Sequence, residues 1–471
     1  MPSGTSVGEV ILRNSVWTSI GASVLLASGL SLAACADKGS SSPLGATSGG
    51  SSLETKTQRD SIGAKKLARQ PGGSFAGAVV ADEPTAALAA RAVLERGGNA
   101  ADAATALYFA LSVTYPAAAG LGGGGVCLAR EGGKPEVTSI AFLPGAAAAG
   151  GSVAVPANVR GIALMQAKFG TAAWATLVSP AERLAATGYQ VSRASAAQLA
   201  DQSAKIGSAG DMARVFGRNG TAFQEGDIVT QPDLAHVLGL VRARGVSGFY
   251  NGEVAHKLVD QSATLGGALT ASDLQSYRPV VAPASMQDTG NLSLRLAATD
   301  SAAGAYANAL WLKQQDGGDT ADMNYGSTSF ATVDGWGGAV ACALTMNGAF
   351  GIGHVADGTG IVYAATPASP IAAKASTYLV PMMVVRDKAS DGLYAAAAAA
   401  GTPKGAKAIV AAVSAALTGV EGAAEQALAS SGADARSPAN AIICDEGLPR
   451  GTCSLNVSPR GAGVGFGATA R

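Results

Sequence analysis

The feature that most constrains this chain is the stretch at residues 326–351, GSTSFATVDGWGGAVACALTMNGAFG. Residues 339–346 are almost wholly apolar, which is typical of a strand that is buried on both faces. Residues 327–333 form a second strand-like run. The glycine-rich residues 334–338 between the two runs supply the positive φ angles that a hairpin loop requires. The stretch therefore predicts a β-hairpin inside the fold.

Polar residues are the exceptions in this hairpin. Ser327, Thr328 and Ser329 stand at the start of the first strand, and Thr345 and Asn347 stand at the end of the second. In an antiparallel pair the start of one strand lies beside the end of the next, so these side chains are predicted to converge. Hydroxyl groups at strand starts commonly satisfy backbone groups, which leaves a structural role as the alternative to a chemical site.

The composition excludes several classes of protein. The 471 residues are 48% hydrophobic and 14% charged, with a formal net charge of zero. These values predict a globular fold rather than disorder. The chain also has no excess of basic over acidic residues, which nucleic-acid-binding proteins typically have. The three histidines, His236, His256 and His354, are widely separated in the sequence. We therefore predict no metal site and no cofactor.

The first 34 residues have the pattern of a secretion signal. Arg13 precedes an apolar run at residues 16–34, which is interrupted by Ser and Gly and ends Leu-Ala-Ala before Cys35. This ending resembles the lipobox of bacterial lipoproteins, which implies cleavage before Cys35 and lipidation of that residue. Residues 35–75 then read as a flexible tether. The chain is predicted to be exported to the periplasm or cell surface as a membrane-anchored lipoprotein, with a plain transmembrane anchor as the alternative.

An exported location changes the expectation for the remaining cysteines, because disulfides form in oxidising compartments. Cys444 and Cys453 flank a turn-rich segment, DEGLPRGT, so a local hairpin disulfide is predicted there. Cys127 and Cys342 lie in apolar surroundings and are predicted to be buried thiols.

Two motifs resemble one enzyme family. The hairpin pattern GSTSF…VD..G.AV…LT.N..FG is similar to the start of the small subunit of the gamma-glutamyltranspeptidases, also called glutathione hydrolases. The run PTA…GGNA.DAA.A…P…GLGGGG at residues 84–125 resembles the opening of their large subunit, and the similarity spans residues 76–471. The resemblance implies an α+β fold, the four-layer αββα sandwich of N-terminal-nucleophile hydrolases. It also implies a large-subunit-like region at 76–326 and a small-subunit-like region at 327–471.

The resemblance implies roles for the hairpin residues as well. Members of this family cut their own chain before the first hairpin residue, whose hydroxyl becomes the nucleophile and whose freed α-amine acts as the base. Ser327 falls on that position, and Thr328 is the alternative nucleophile if the cut comes one residue later. Thr345 is implied to orient the nucleophile, and Asn347 is implied to contact the substrate.

A second segment resembles the oxyanion-binding loop of the family. GTPKGA at residues 401–406 is similar to the family's GSPGGS loop, in which backbone N–H groups stabilise the oxyanion. The resemblance places those donors at Lys404 and Gly405. Because the donors are main-chain groups, a lysine can serve there unless the position requires a positive φ.

Four departures from the family bear on substrate choice. Ile140 or Ala141 stands where an arginine holds the substrate carboxylate, and the acid that binds the substrate amino group has no counterpart at residues 361–367. The family's PLSSM motif is only weakly echoed at residues 375–379, and residues 278–326 are shorter than the family's equivalent. Losing both charged anchors corresponds to glutamyl binding that is weaker by about 10²–10⁴-fold.

Two hypotheses follow for the function. In the first, the protein is an exported acyl transferase or hydrolase that cleaves itself before Ser327 into a heterodimer. It then transfers a gamma-glutamyl group from a small peptide or amide to water or to an amine. In the second, it is a catalytically degenerate, uncleaved lipoprotein that binds a ligand or partner in the old cleft.

Overall fold

The computed structural model describes residues 65–67, 75–314, 323–386 and 392–470. The predicted signal sequence and the lipidation of Cys35 lie outside these residues. The predicted tether, 35–75, is not irregular throughout, because its residues Lys65–Leu67 form a strand at the edge of a sheet. Among the described helices, none is long and apolar enough to cross a membrane.

The strands are short and mostly apolar, as VPMMVV and LYAAAAA illustrate, because both faces of each large sheet are covered. In chain order they are β1 (Lys65–Leu67), β2 (Phe75–Ala81), β3 (Gly124–Arg130), β4 (Val137–Phe142), β5 (Tyr189–Gln190), β6 (Gly217–Arg218), β7 (Thr221–Ala222), β8 (Ile228–Val229), β9 (Val280–Pro283), β10 (Ser285–Asp288), β11 (Ser293–Leu296), β12 (Ser327–Asp334), β13 (Ala339–Thr345), β14 (Val355–Ala356), β15 (Ile361–Val362), β16 (Val380–Val385), β17 (Leu393–Ala399), β18 (Ala439–Leu448), β19 (Cys453–Val457) and β20 (Val464–Thr469).

Helices fill most of the connections between strands. In chain order they are α1 (Pro84–Glu95), α2 (Ala100–Thr114), α3 (Pro116–Ala119), α4 (Asn158–Phe169), α5 (Trp174–Thr187), α6 (Arg193–Asp201), α7 (Ser203–Ser208), α8 (Gly210–Phe216), α9 (Pro232–Arg244), α10 (Ser247–Tyr250), α11 (Gly252–Thr264), α12 (Ala271–Ser276), α13 (Ala302–Trp311), α14 (Pro370–Thr377), α15 (Pro403–Ala416) and α16 (Ala423–Ser430).

Two large antiparallel sheets organise the described chain. The first has the strand order β1-β19-β18-β17-β16-β11-β10, and the second has the order β20-β2-β12-β13-β3-β4-β9. The predicted hairpin, β12 and β13, therefore lies in the middle of the second sheet. Its register pairs Ser327 with Thr345 and Val333 with Ala339, as the hairpin prediction requires.

The sheets form the two inner layers of the fold. They face each other across an apolar core to which Ala331 and Val333 contribute from the second sheet and Met383 and Ile442 from the first. Helices α1, α2 and α4 pack against the outer face of the second sheet, and α15 and α16 pack against the outer face of the first. This arrangement confirms the predicted four-layer αββα sandwich.

Helix α2 holds strand β12 in place through its N-terminus. Asn99 caps the helix in a capping box with Asp102. The backbone N–H of Ala100 donates to the Asp334 carboxylate (3.0 Å), and the Ala100 carbonyl accepts from the Thr332 hydroxyl (2.8 Å). Strand β12, which begins at Ser327, is thus fixed near its other end by buried hydrogen bonds.

The structure contains two disulfides in its described residues, and one of them corrects a prediction. Cys444 and Cys453 are cross-strand partners on β18 and β19 and form a disulfide. Cys127 and Cys342 are also bonded to each other, so their interpretation as buried thiols is wrong. The register of β3 and β13 places them directly opposite each other, with a Cα–Cα distance of 4.1 Å. Such proximity between residues 215 apart in sequence depends on strand pairing, which apolar surroundings alone do not reveal.

Candidate active site at the hairpin

Of the side chains predicted to converge at the hairpin, Ser327, Thr345 and Asn347 do so, whereas Thr328 and Ser329 contact Asp82 and Asn440 instead. Ser327 begins β12 with only 4% of its surface exposed, and its Oγ donates to Thr345 Oγ1 at 3.0 Å. Thr345 Oγ1 also accepts the backbone N–H of Asn347 at 2.9 Å. The carbonyl oxygen of Tyr325 lies 3.3 Å from both hydroxyl oxygens. Ser327, Thr345 and Asn347 therefore form one continuous chain of hydrogen bonds.

The peptide bond that precedes Ser327 is held tightly. Gly326 has a φ of 58°, and a Cβ at this position would lie 2.2 Å from the carbonyl oxygen of Gly348, so glycine is required here. The Gly326 N–H donates to Asn324 Oδ1 (3.0 Å), and its carbonyl oxygen accepts the N–H of Met346 (2.8 Å). A backbone donor on the Gly326 carbonyl is what an attack on that carbonyl needs, because the oxygen becomes negatively charged in the process.

Thr328 lies on the other face of β12, since successive side chains of a strand alternate. Its hydroxyl donates to Asp82 Oδ2 at 2.6 Å, and the backbone N–H of Ser329 donates to the same oxygen at 3.1 Å. Asn440 Nδ2 donates to Asp82 Oδ1 at 2.8 Å and to Ser329 Oγ at 3.0 Å. The structure therefore places Thr328 in a buried polar cluster rather than beside Ser327 and Thr345.

The carboxyl of Asp82 has an unusual environment in this cluster. Burial raises the pKa of Asp82, and the hydrogen bonds from Asn440, Thr328 and Ser329 oppose that rise. The cluster joins the end of β2, the start of β12 and the start of β18, so it holds both sheets next to the hairpin. Sequence reasoning missed it, because a single acid after an apolar strand does not show which residues it will meet.

Lys404 and Gly405 lie in the first turn of α15. Thr402 caps this helix, and its hydroxyl accepts the Lys404 N–H at 3.2 Å. The Lys404 side chain pairs with Asp434 at 3.3 Å. A Cβ on Gly405 would lie 2.8 Å from the Ala400 carbonyl oxygen, so this position needs glycine for packing. The Lys404 N–H is thus engaged by the capping Thr402 hydroxyl in this structure.

A cavity of about 450 Å³ opens beside the hairpin. Its wall includes Asn324, which binds the Gly326 N–H, and Asn347, whose N–H binds Thr345. Three charged side chains also line it: Asp201 and Arg436, which form an ion pair, and Lys205. Sequence reasoning missed these three, because they come from α6, α7 and the loop before β18 and match no motif of the resemblance.

Among the described residues, no group of three His, Cys, Asp or Glu side chains is placed to hold a metal ion. The hairpin offers a buried hydroxyl with a hydrogen-bonded neighbour, next to a peptide carbonyl that accepts a backbone N–H.

Known proteins resemble this chain in both sequence and fold. The sequence model of the Gamma-glutamyltranspeptidase family matches residues 86–324, which is just over half of the chain. The "Glutathione hydrolase proenzyme" of Bacillus subtilis (strain 168) is 33% identical over 223 residues, covering 43% of this chain and 38% of the relative. The protein of the same name from Pseudomonas sp. (strain A14) is 35% identical over 229 residues, covering 44% and 40%. The chain thus matches about two-fifths of the length of these curated relatives.

Among solved structures, a cephalosporin acylase from Bacillus halodurans has a TM-score of 0.67 and 19% sequence identity. The alignment covers 89% of this chain and 98% of the acylase. At this identity the likeness shows the fold alone, and it agrees with the αββα sandwich of N-terminal-nucleophile hydrolases. Because the family match extends across just over half of its length, the chain belongs to the gamma-glutamyltranspeptidase family.

Proposed function

We propose that this protein is an exported acyl transferase or hydrolase that cleaves itself before Ser327 and then acts on gamma-glutamyl amides of the glutathione type. The observation that carries the proposal is the geometry at Gly326. Its carbonyl oxygen accepts the Met346 N–H at 2.8 Å, while the adjacent Ser327 Oγ is hydrogen-bonded to Thr345. A nucleophile, a proton acceptor and an oxyanion donor therefore surround one peptide bond.

Self-cleavage would proceed in two balanced steps. Ser327 Oγ attacks the Gly326 carbonyl carbon and the C–N bond to Ser327 breaks, so that the hydroxyl proton ends on the departing nitrogen, which becomes the α-amine. The Thr345 hydroxyl is placed to pass that proton, and the Met346 N–H stabilises the oxyanion. Water then hydrolyses the resulting ester, leaving a carboxylate on Gly326 and a free hydroxyl on Ser327.

Turnover would use the same hydroxyl. Ser327 Oγ attacks the gamma-amide carbonyl of the substrate, its freed α-amine takes the proton and returns it to the leaving amine, and an acyl ester forms. Water or an acceptor amine then removes the acyl group. Thr345 orients Ser327, and Asn347 contacts the substrate. Lys404 and Gly405 supply oxyanion donors once the Lys404 N–H leaves the Thr402 hydroxyl that engages it here.

Export and heterodimer formation belong to the same proposal. Two disulfides support an oxidising compartment, because such bonds persist outside the cytosol. Lipidation of Cys35 would anchor the mature protein to a membrane, and cleavage would divide it into residues 35–326 and 327–471. The relatives that carry the name glutathione hydrolase support the reaction class.

The alternative, an uncleaved binding lipoprotein, also has an observation in its favour. Ile140, one of the two candidates for the arginine position of the family, is fully buried in β4 and pairs with Cys127. A side chain buried there offers no charge to a substrate carboxylate. Under this alternative the cleft binds a ligand without reaction.

The test is a reducing denaturing gel with intact-mass spectrometry on the purified full-length protein. We expect two fragments, the smaller one beginning at Ser327, and hydrolysis of a gamma-glutamyl anilide. Both are expected to disappear in Ser327→Ala. A smaller fragment that begins at Thr328 would assign the nucleophile to that residue. A single intact chain without anilide hydrolysis would favour the binding lipoprotein.

A further inference from the structure

The cavity beside the hairpin carries a net positive charge. Of the described residues that line it, Asp201 is acidic, and Lys205 and Arg436 are basic. Asp201 and Arg436 neutralise each other in an ion pair, and Asp201 also accepts from Asn324 Nδ2 at 2.9 Å. Lys205 therefore leaves one positive charge in excess, which favours an anionic ligand.

The amine of Lys205 is held by backbone carbonyl groups rather than by a carboxylate. Its Nζ donates to Ala349 O at 2.7 Å and more distantly to Gly351 O at 3.4 Å. An ammonium group has three N–H donors, so at least one remains available after these two contacts. Burial lowers the pKa of Lys205, and the nearby Asp201 only partly opposes this effect. An anion in the cavity would stabilise the charged form of this partly buried amine.

A second, independent feature of the cavity calls for a hydrogen-bond donor. Asn347 is almost fully buried, and its Nδ2 donates to the Ala365 carbonyl at 2.8 Å. Its Oδ1 has no hydrogen-bond partner within the described structure. A buried acceptor without a donor is unfavourable, so a ligand N–H that reaches it would be bound. Asn347 also connects to Ser327 through Thr345, so this wall of the cavity adjoins the nucleophile.

We propose that Lys205 is the carboxylate anchor of this cleft, and that the cleft takes acyl donors that carry both a carboxylate and an N–H group, such as monoamides of dicarboxylic acids. This inference rests on the proposed function for its catalytic meaning, but the binding itself does not require cleavage. Lys205 lies on α7, far in sequence from Ile140 and Ala141, where the family's arginine is missing. The proposed carboxylate anchor therefore comes from α7 rather than from β4, and it lies in the same cavity as the Asp201–Arg436 ion pair.

The test measures binding in the Ser327→Ala protein, whose cavity has the same lining and which cannot cleave itself. The ligands are glutaramate, which has a carboxylate and an amide, and pentanamide, which has the amide alone. Isothermal titration calorimetry is expected to show glutaramate binding at least tenfold more tightly than pentanamide. Adding Lys205→Met is expected to weaken glutaramate binding by about 10- to 100-fold, as the loss of one charge-assisted hydrogen bond predicts, and to leave pentanamide unchanged.

Two further variants serve as controls. Lys168→Met removes one exposed lysine from α4 and is expected to bind glutaramate as the parent does. Lys205→Gln keeps N–H donors without the charge and is expected to bind as weakly as Lys205→Met. It serves in place of that variant if Lys205→Met fails to fold, as judged by circular dichroism. Equal affinity of the parent and the Lys205 variants for glutaramate, or no binding by the parent, would overturn the proposal.

Failure of the inference and failure of the proposed function are distinguishable. If the wild type cleaves itself but the Lys205 variants bind normally, the function stands and the anchor is wrong. If the wild type stays intact but glutaramate binding depends on Lys205, the anchor stands in a protein that binds without reaction.

Discussion

Removing the hydroxyl of Thr345 tests the role of the hydrogen-bond chain at the hairpin. Thr345→Val keeps the shape of the side chain but loses the oxygen that lies 3.0 Å from Ser327 Oγ and accepts the Asn347 N–H at 2.9 Å. Two effects follow from one substitution. Ser327, the proposed nucleophile, loses the hydroxyl proposed to orient it and pass its proton, and the buried N–H of Asn347 loses its acceptor.

The two effects have different magnitudes and different readouts. The unpaired Asn347 N–H is expected to lower the free energy of unfolding by about 1–3 kcal/mol. A domain that is stable by about 5–15 kcal/mol stays folded after such a loss. Loss of proton transfer and orientation is expected to slow self-cleavage by about 10²–10⁴-fold. Slower cleavage in a folded protein is therefore attributable to the site rather than to unfolding.

The assay follows disappearance of the uncleaved chain by intact-mass spectrometry after cell-free synthesis, with urea unfolding as the measure of stability. Thr332→Val is the matched control, because Thr332, on the partner strand β12, is as buried as Thr345 and donates to Ala100 O at 2.8 Å, away from the proposed cleavage site. It is expected to lower stability by about 1 kcal/mol and to cleave at the parental rate. Thr345→Ser should retain cleavage. A Thr345→Val protein that cleaves within threefold of the parental rate would refute the role assigned to Thr345.

The Cys127–Cys342 disulfide joins strands that lie on opposite sides of the proposed cut, so the cleaved protein should run as one band on a non-reducing gel and as two after reduction. Two bands without reduction would mean that this bond does not form, and Cys342→Ala shows what that pattern looks like. The pKa of Asp82 is raised above its ordinary value of 3.8, so folding favours the protonated carboxyl. The stability that Asp82 contributes is therefore present at low pH, and it is lost as the pH rises through the raised pKa. Urea unfolding should therefore show the wild type losing stability relative to Asp82→Asn as the pH rises above about 4, whereas a difference that does not change with pH would contradict the assignment.

The hairpin shows how much of the site was accessible from sequence. Its two strands, its loop and its register follow from apolar runs, glycines and the alternation of side chains, which are local properties of residues 326–351. That register was enough to bring Ser327 beside Thr345, with Asn347 adjacent to both. The prediction also brought Thr328 to this spot, which is wrong, because its side chain points to the other face of β12 and its hydroxyl donates to Asp82.

The oxyanion segment shows where motif similarity stops. The resemblance located Lys404 and Gly405 in a loop, and a loop would leave their N–H groups available. The structure places them in the first turn of α15, where the Thr402 hydroxyl accepts the Lys404 N–H. A Thr-Pro pair is a good helix start, since the hydroxyl caps and the proline fits the first turn. That local signal was present in the sequence, but the family pattern took precedence over it.

Sequence alone determined the hairpin, the αββα class and the candidate nucleophile of this protein, because each of these depends on patterns within a few tens of residues or on a family resemblance. Tertiary structure alone decided which distant residues meet. Cys127 reaches Cys342 through strand register, Asp82 reaches Asn440 across two sheets, and Lys205 reaches the cavity from a helix without a motif. The physical reason is that contacts between distant segments depend on how whole sheets and helices pack. The residues next to a side chain in sequence do not predict that packing.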